Sequence, residues 1–171
     1  MKKNTKEKVS LPEFIDSLVE ITEDDNNVYL ADWVIPKGTE KAYSEERRRI
    51  IWEMYEIWKT ENPSGKCYNK ALDSDVVVDK DSASETAAHA FINYKNVIAF
   101  YCLDIVLTDA VKVRTSPPQS NRQKKKVKGG FMQIMKARIS CFFDVQLIVG
   151  ITRTKNNYMF SVTELRGDAK K

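Results

Sequence analysis

The feature that most constrains this chain is the alternation in its last third. Three runs, roughly Phe131 to Cys141, Leu147 to Lys155 and Tyr158 to Leu165, switch between apolar and polar residues with period two. Successive side chains of a strand point to opposite faces, so such runs bury one face and leave the other to water. Met135, Ala137, Ile139 and Cys141 fall on the core side, and Lys136, Arg138 and Ser140 alternate with them. Short spacings between the runs call for hairpins, hence an antiparallel meander. Asn156-Asn157 reads as a two-residue turn, because asparagine tolerates positive φ. That turn would pair Ile151 with Val162 and Arg153 with Phe160 on one face, and Thr152 with Ser161 and Gly150 with Thr163 on the other.

Helical signals precede these strands. Ser10-Leu11-Pro12-Glu13 is a capping-box pattern, with Phe14, Ile15, Leu18 and Val19 on one helical face. Val28 to Ile35 is apolar and short, either strand or irregular. Between about Ser44 and Thr60 the residues Ile50, Ile51, Met54, Tyr55 and Trp58 form an apolar stripe, ended by Asn62-Pro63-Ser64-Gly65. Val76 to Val78 reads as a short strand. Ser82-x-x-Glu85 is a second capping box and opens a helix to about Asn93, with Ala83, Ala87, Ala90, Phe91 and Tyr94 inward. His89, the only histidine, is two positions from Ala87 and from Phe91, roughly 200° around the helix, and so points away from the core. Val97 to Thr108 reads as one further helix and Val111 to Val113 as a strand. Ser116 to Lys128 reads as a long, mobile polar loop.

These elements give an α+β fold in which N-terminal helices pack on one face of a C-terminal antiparallel β-sheet, a meander. Residues 1–65 form an N-terminal helical extension and residues 66–171 an α+β domain, the two making one compact unit. A length of 171 residues suffices for a real core. No apolar run approaches the roughly 18 residues of a membrane span, and Met1 to Thr5 has no apolar stretch behind it to make a secretory signal. Cys67, Cys102 and Cys141 are odd in number and far apart, which fits buried thiols in the cytoplasm.

The net charge of +4 conceals a strong asymmetry. Glu13, Asp16, Glu20, Glu23, Asp24 and Asp25 make the N-terminal segment acidic. From Ala110 to Phe143 there is no acid, while Lys112, Arg114, Arg122, Lys124, Lys125, Lys126, Lys128, Lys136 and Arg138 are basic. Such a stretch fits a polyanion partner, and equally a solvated basic loop. Acid clusters with metal-ligand spacing, glycine-rich phosphate loops and nucleophile elbows are absent from the sequence. Metallonuclease, nucleotide hydrolase and serine hydrolase chemistry are therefore disfavoured, and no metal or other cofactor is expected.

Several segments together carry a resemblance. Asn69-Lys70-Ala71-Leu72, Glu85-Thr86-x-x-His89-Ala90, the run Leu103 to Ala110, Val149-Gly150-Ile151-Thr152-Arg153 and Tyr158-x-Phe160-x-Val162 are similar to the superfamily that joins barnase, EndoU, colicin-type and RelE-type ribonucleases. They also look similar to the nuclease-like domains of large polyvalent proteins, and to small standalone relatives, carried on bacterial mobile elements, and the resemblance covers about Lys66 to Arg166. The resemblance implies metal-independent cleavage of RNA through the neighbouring 2′-OH. Such chemistry needs a base, an acid and cations for the developing phosphorane charge. His89 would move a proton, with Glu85 one turn earlier to hold the imidazolium. Lys136, Arg138 or Arg153 would stabilise the phosphate, and Thr152, Ser161 or Thr163 would donate to it. Arg122, Lys124, Lys125, Lys126 and Lys128 would bind nucleic acid, RNA rather than DNA. One histidine excludes a two-histidine mechanism. The other readings are a non-catalytic nucleic-acid-binding protein on the same scaffold, and an interaction module whose acidic N-terminal helix docks a protein partner. Convergence of His89 with Lys136, Arg138 or Thr152 distinguishes the enzyme from both.

Overall fold

A computed structural model describes residues 21–139 and 143–165. In chain order its elements are β1 (Thr22–Glu23), β2 (Asn27–Tyr29), β3 (Val34–Pro36), α1 (Lys41–Glu61), β4 (Lys66–Asn69), β5 (Ser74–Val77), α2 (Lys80–Ala90), α3 (Lys95–Tyr101), α4 (Leu103–Asp109), β6 (Val111–Ser116), α5 (Asn121–Val127), β7 (Phe131–Ile139), β8 (Phe143–Ile151) and β9 (Asn157–Glu164). The fold is α+β. Strands β1–β3 make a small sheet, and the main sheet has six strands in the order β4-β5-β9-β8-β7-β6. All its neighbours are antiparallel except β5 and β9, which run parallel through Val76 and Val77. The sheet is thus mixed rather than purely antiparallel, and the helices are not all N-terminal, since α5 lies between β6 and β7.

Most helices cover one face of the main sheet. The α1 stripe of Ile50, Ile51, Met54, Tyr55 and Trp58 is buried as its spacing requires. It shares a core with Ile98, Leu103, Val106 and Leu107 of α3 and α4, and with Met135, Ile139, Val145, Leu147, Val149 and Val162 of the sheet. Val28, Leu30 and Ile35 join the same core, so residues before and after position 65 are packed together. The stretch before position 65 also holds β1–β3, beyond the helices expected there. The helix expected over Val97 to Thr108 breaks at Cys102 into α3 and α4. The Ser10 capping box with its helix, and the placements of Ser140 and Cys141, lie outside the described residues.

Helix α2 sits along an edge. Beyond Tyr158, β9 leaves β5, and its backbone would be unpaired on that side. Ser82 Oγ donates to the Met159 carbonyl at 2.5 Å, the Val162 amide donates to Thr86 Oγ1 at 3.2 Å, and the Glu164 amide donates to Asn96 Oδ1 at 2.7 Å. Ala83, Ala87 and Ala90 are small enough to allow this approach and are fully buried. The Ser82-x-x-Glu85 capping box does not form. Asp79 is the N-cap, accepting from the amides of Asp81 and Ser82, and Ser82 Oγ accepts from the Asp79 amide. Ser82 is needed three residues into the helix, where its hydroxyl reaches β9, and Glu85 is left uncommitted by capping.

The β8–β9 register also differs from the two-residue turn. Ile151 pairs with Asn157 and Leu147 with Val162, so the connection is residues 152–156 and Asn157 lies within the strand. One extra residue, Phe160, falls between the Ile148–Ser161 and Val149–Met159 pairs. Such a bulge shifts the alternation by one. Met159 and Val162 therefore face the main core, while Phe160 joins Val127 and Met132 in a small cluster on the opposite face.

Candidate nucleic-acid interface

The segment expected as a mobile loop contains α5, a helix rich in cations. Like charges at i and i+4, such as Arg122 with Lys126 and Lys124 with Lys128, oppose helix formation by a few tenths of a kcal/mol each. Several contacts offset this. Ser120 caps the N-terminus, its Oγ accepting from the Gln123 amide at 3.0 Å. Lys128 takes the left-handed conformation at the C-terminus (φ 48°), and its amide donates to the Lys124 carbonyl. Val127 is fully buried against Met132, Phe160 and Ile148. Room for it comes from Gly150 of β8, where a Cβ would meet Val127 at 2.7 Å and the Phe160 ring at 2.6 Å.

Acids of α2 supply the remaining hold. Lys126 Nζ lies 2.8 Å from Asp79 and 3.2 Å from Asp81, and Arg122 lies 2.9 Å from Glu85. Burial raises the Asp79 carboxyl's affinity for a proton, but Lys126 and the Ser82 amide outweigh it and hold the pKa below the usual aspartate value. Burial likewise opposes charge on Lys126, and its two carboxylates outweigh that and raise its pKa. The remaining cations of the run are differently placed. Lys124, Lys125 and Lys128 are exposed and form no ion pair among the described residues.

Beside α5 opens a groove of about 1050 Å³ lined by Arg122, Lys124, Lys125, Lys126, Lys128, Asn121, Asp81 and Tyr158. Every cation assigned to nucleic-acid binding from the sequence lines this one groove. Lys126 Nζ stands 5.0 Å from the centre of the Tyr158 ring. An aromatic ring among cations is the composition of a single-strand platform, on which a base stacks while the backbone meets the charges. The cross-strand partners Arg114–Ile134 and Val111–Lys136 put Arg114 and Lys136 on the same sheet face as the α5 cluster.

The expected catalytic set is not gathered. His89 is exposed on α2, as its helical position required, with Nε2 3.9 Å from Glu85 Oε2. Arg138 bonds Asp144 at 3.3 Å, and Lys136 stands beside Val111 and Gln146. Two strands, β8 and β9, lie between β7 and the edge on which α2 packs. Thr152 is buried in the β8–β9 connection, where its Oγ1 accepts from the Asn156 amide at 3.0 Å and contacts Thr154 Oγ1. It follows Ile151, opposite Phe131, whereas Arg138 lies seven residues along β7. At about 3.4 Å per residue the two are separated by more than roughly 20 Å. The Asn69-Lys70-Ala71-Leu72 lead-in is structural: buried Asn69 donates to the carbonyls of Leu107 and Ala110 and accepts from the Leu72 amide.

Comparison of the chain with protein-family models, curated proteins and solved structures finds no match. The site therefore stands on its own geometry. Sequence reasoning missed Tyr158 and Asn121, whose place in the groove depends on α5 being a helix. It also missed the tie between α5 and the acids of α2. The i, i+4 spacing of Arg122 and Lys126 opposite Asp81 and Glu85, also four apart, was the available signal.

Proposed function

We propose that this protein binds single-stranded nucleic acid, RNA in preference to DNA, through the α5 groove. The observation that carries the reading is the gathering of five cations and one aromatic ring on a single groove, with Lys124, Lys125 and Lys128 in no ion pair among the described residues. Phosphates would meet these three lysines, and a base would stack on Tyr158. Arg122 and Lys126 serve mainly to hold α5 to α2. A cytoplasmic setting belongs to the reading, with Cys67 and Cys102 as free thiols. Among the described residues no helix is long and apolar enough to cross a membrane.

The test is the salt dependence of binding to a single-stranded RNA oligonucleotide. Each phosphate neutralised contributes about 0.7 to the log–log slope on single strands. Changing Lys124, Lys125 and Lys128 together to glutamine should flatten the slope by about 2 with the fold intact. An unchanged slope, or no binding by the wild-type protein at low salt, removes the proposal.

RNA cleavage is a second reading with one observation of its own. The Glu85 carboxylate stands between His89 and Arg122, so the proton-moving candidate adjoins the cationic helix rather than the β7 cations. In this reading His89 serves as acid or base and Arg122, in place of Lys136 or Arg138, meets the phosphate. A general acid or base contributes about 10²–10⁴-fold. His89→Ala should then remove most RNA cleavage, in the presence of EDTA and between about pH 5 and 9, a range that spans histidine titration. Wild-type protein that binds RNA without cutting it leaves the binding reading alone.

A further inference from the structure

A second cavity, far in character from the α5 groove, lies between α1, the α3–α4 junction and the turn joining β2 to β3. It holds about 380 Å³, within the size range of small-molecule sites. Its walls include the rings of Trp33, Trp58 and Tyr101, and Met54, Ile57 and Ile105 provide aliphatic surface. Asp32, Glu61 and Asp104 also line it, and among the described residues no lysine, arginine or histidine does. None of the three carboxylates forms an ion pair among the described residues. Asp104 is fixed in place by the Trp58 indole, whose Nε1 donates to Oδ1 at 2.6 Å. In a chain of net charge +4, three acids without an ion pair among the described residues, on one aromatic-walled cavity, are a local reversal of sign.

We infer that this cavity binds a small organic cation, an alkylammonium or alkylguanidinium with an apolar stem. Aromatic faces attract such cations by their quadrupole, and carboxylates complete the charge match. The aliphatic residues give the stem its surface. A bare metal ion fits poorly, because among the described residues no three of the His, Cys, Asp and Glu side chains converge as a ligand set. Cys102 in the lining is a buried thiol, so the cavity has no thiolate to offer a metal. The inference is independent of nucleic-acid binding, which lies on the other sheet face.

Agmatine is the probe. Titrated into the full-length protein, it should change tryptophan fluorescence saturably, because two of the three tryptophans line the cavity. A dissociation constant at or below about 1 mM is expected, with amide shifts confined to α1, α3, α4 and the β2–β3 turn. An uncharged alkylurea of equal length should not bind. The double variant Asp32→Asn, Glu61→Gln keeps Asp104 and its bond to Trp58, and both altered side chains are exposed, so it should fold normally. Its affinity for agmatine should fall at least about ten-fold, the scale of one lost charge contact. No saturation up to about 10 mM, ten times that constant, would overturn the inference. So would equal binding of the alkylurea, unchanged affinity in the double variant, or shifts centred on α5.

Discussion

The two faces of the main sheet use cations in opposite ways. On the face covered by α1, Arg47 is almost wholly buried and gives its guanidinium to the protein itself. It donates to the carbonyls of Pro36, Gly38, Ala90 and Phe91 and to Ser44 Oγ, at 2.8 to 3.2 Å. Two of those carbonyls end α2, where a cation also favours the helix dipole. Burial lowers the Arg47 pKa, but guanidinium remains charged at any ordinary pH. On the other face, Lys124, Lys125 and Lys128 form no ion pair among the described residues, and their helix is held by buried Val127 and by the pairing of Arg122 and Lys126 with Glu85, Asp79 and Asp81. Charge alone does not assign a role. The number of protein acceptors around each cation does: Arg47, Arg122 and Lys126 build the fold, and Lys124, Lys125 and Lys128 are the cations that the proposed nucleic-acid binding would use.

Arg47 carries the largest expected effect. Arg47→Met would leave several buried carbonyls without donors, at about 1–3 kcal/mol each, so a loss of about 3 kcal/mol or more is expected in urea unfolding. Leu147→Ala, in the main core, should cost about 2–5 kcal/mol by the same measurement. If either variant is as stable as wild type, the α1 face is not the structural one.

The α5 face should respond by changed binding with a smaller loss of stability. Gly150→Val places side-chain atoms where Val127 and Phe160 now pack, an overpacking cost of about 1–3 kcal/mol. RNA affinity should fall while the far-ultraviolet spectrum stays near wild type. Val127→Ala removes about two methylene equivalents, near 1.6 kcal/mol, and should speed amide exchange in α5 without touching α1. Equal exchange in both helices would contradict the division between faces.

The smallest effect concerns pH. Asp79 has a depressed pKa when folded, so its contribution is present above the ordinary aspartate pKa of about 3.9 and is lost as pH falls through the lower folded value. Lys126 is raised, so its contribution holds below about 10.4 and fades only as pH rises past the folded pKa. Docking of α5 should thus be level between about pH 5 and 9, and its exchange protection should drop under more acidic conditions in wild type but not in Asp79→Asn. A transition near neutral pH would point to a group other than this pair.

How far the sequence carried these conclusions depended on what fixed each element. Local periodicity was enough for α1, all five of whose stripe residues are buried, and for the core side of β7 at Met135 and Ile139. The outward direction of His89 followed from helical geometry alone. The β8–β9 register did not, because the connection turns through Lys155 at φ 69°, a residue that no turn preference marks, and because the Phe160 bulge resets the alternation. Helix α5 was illegible for a different reason. Its local charges argue against a helix, and what holds it, Gly150, Phe160 and the acids of α2, comes from elsewhere in the chain. The nucleic-acid candidates nevertheless share a groove, since they are close in sequence. The catalytic candidates were spread over α2, β7 and the β8–β9 connection, and only tertiary structure could decide their separation.

On the proposed reading nucleic acid meets the α5 face of the main sheet and not the face covered by α1. Amide hydrogen exchange of the full-length protein with and without a single-stranded RNA oligonucleotide tests it directly. Slower exchange is expected in residues 121–128 and around Tyr158 on adding RNA, with α1, α3 and α4 unchanged. Slowing confined to α1, α3 or α4, with residues 121–128 unaffected, would contradict it.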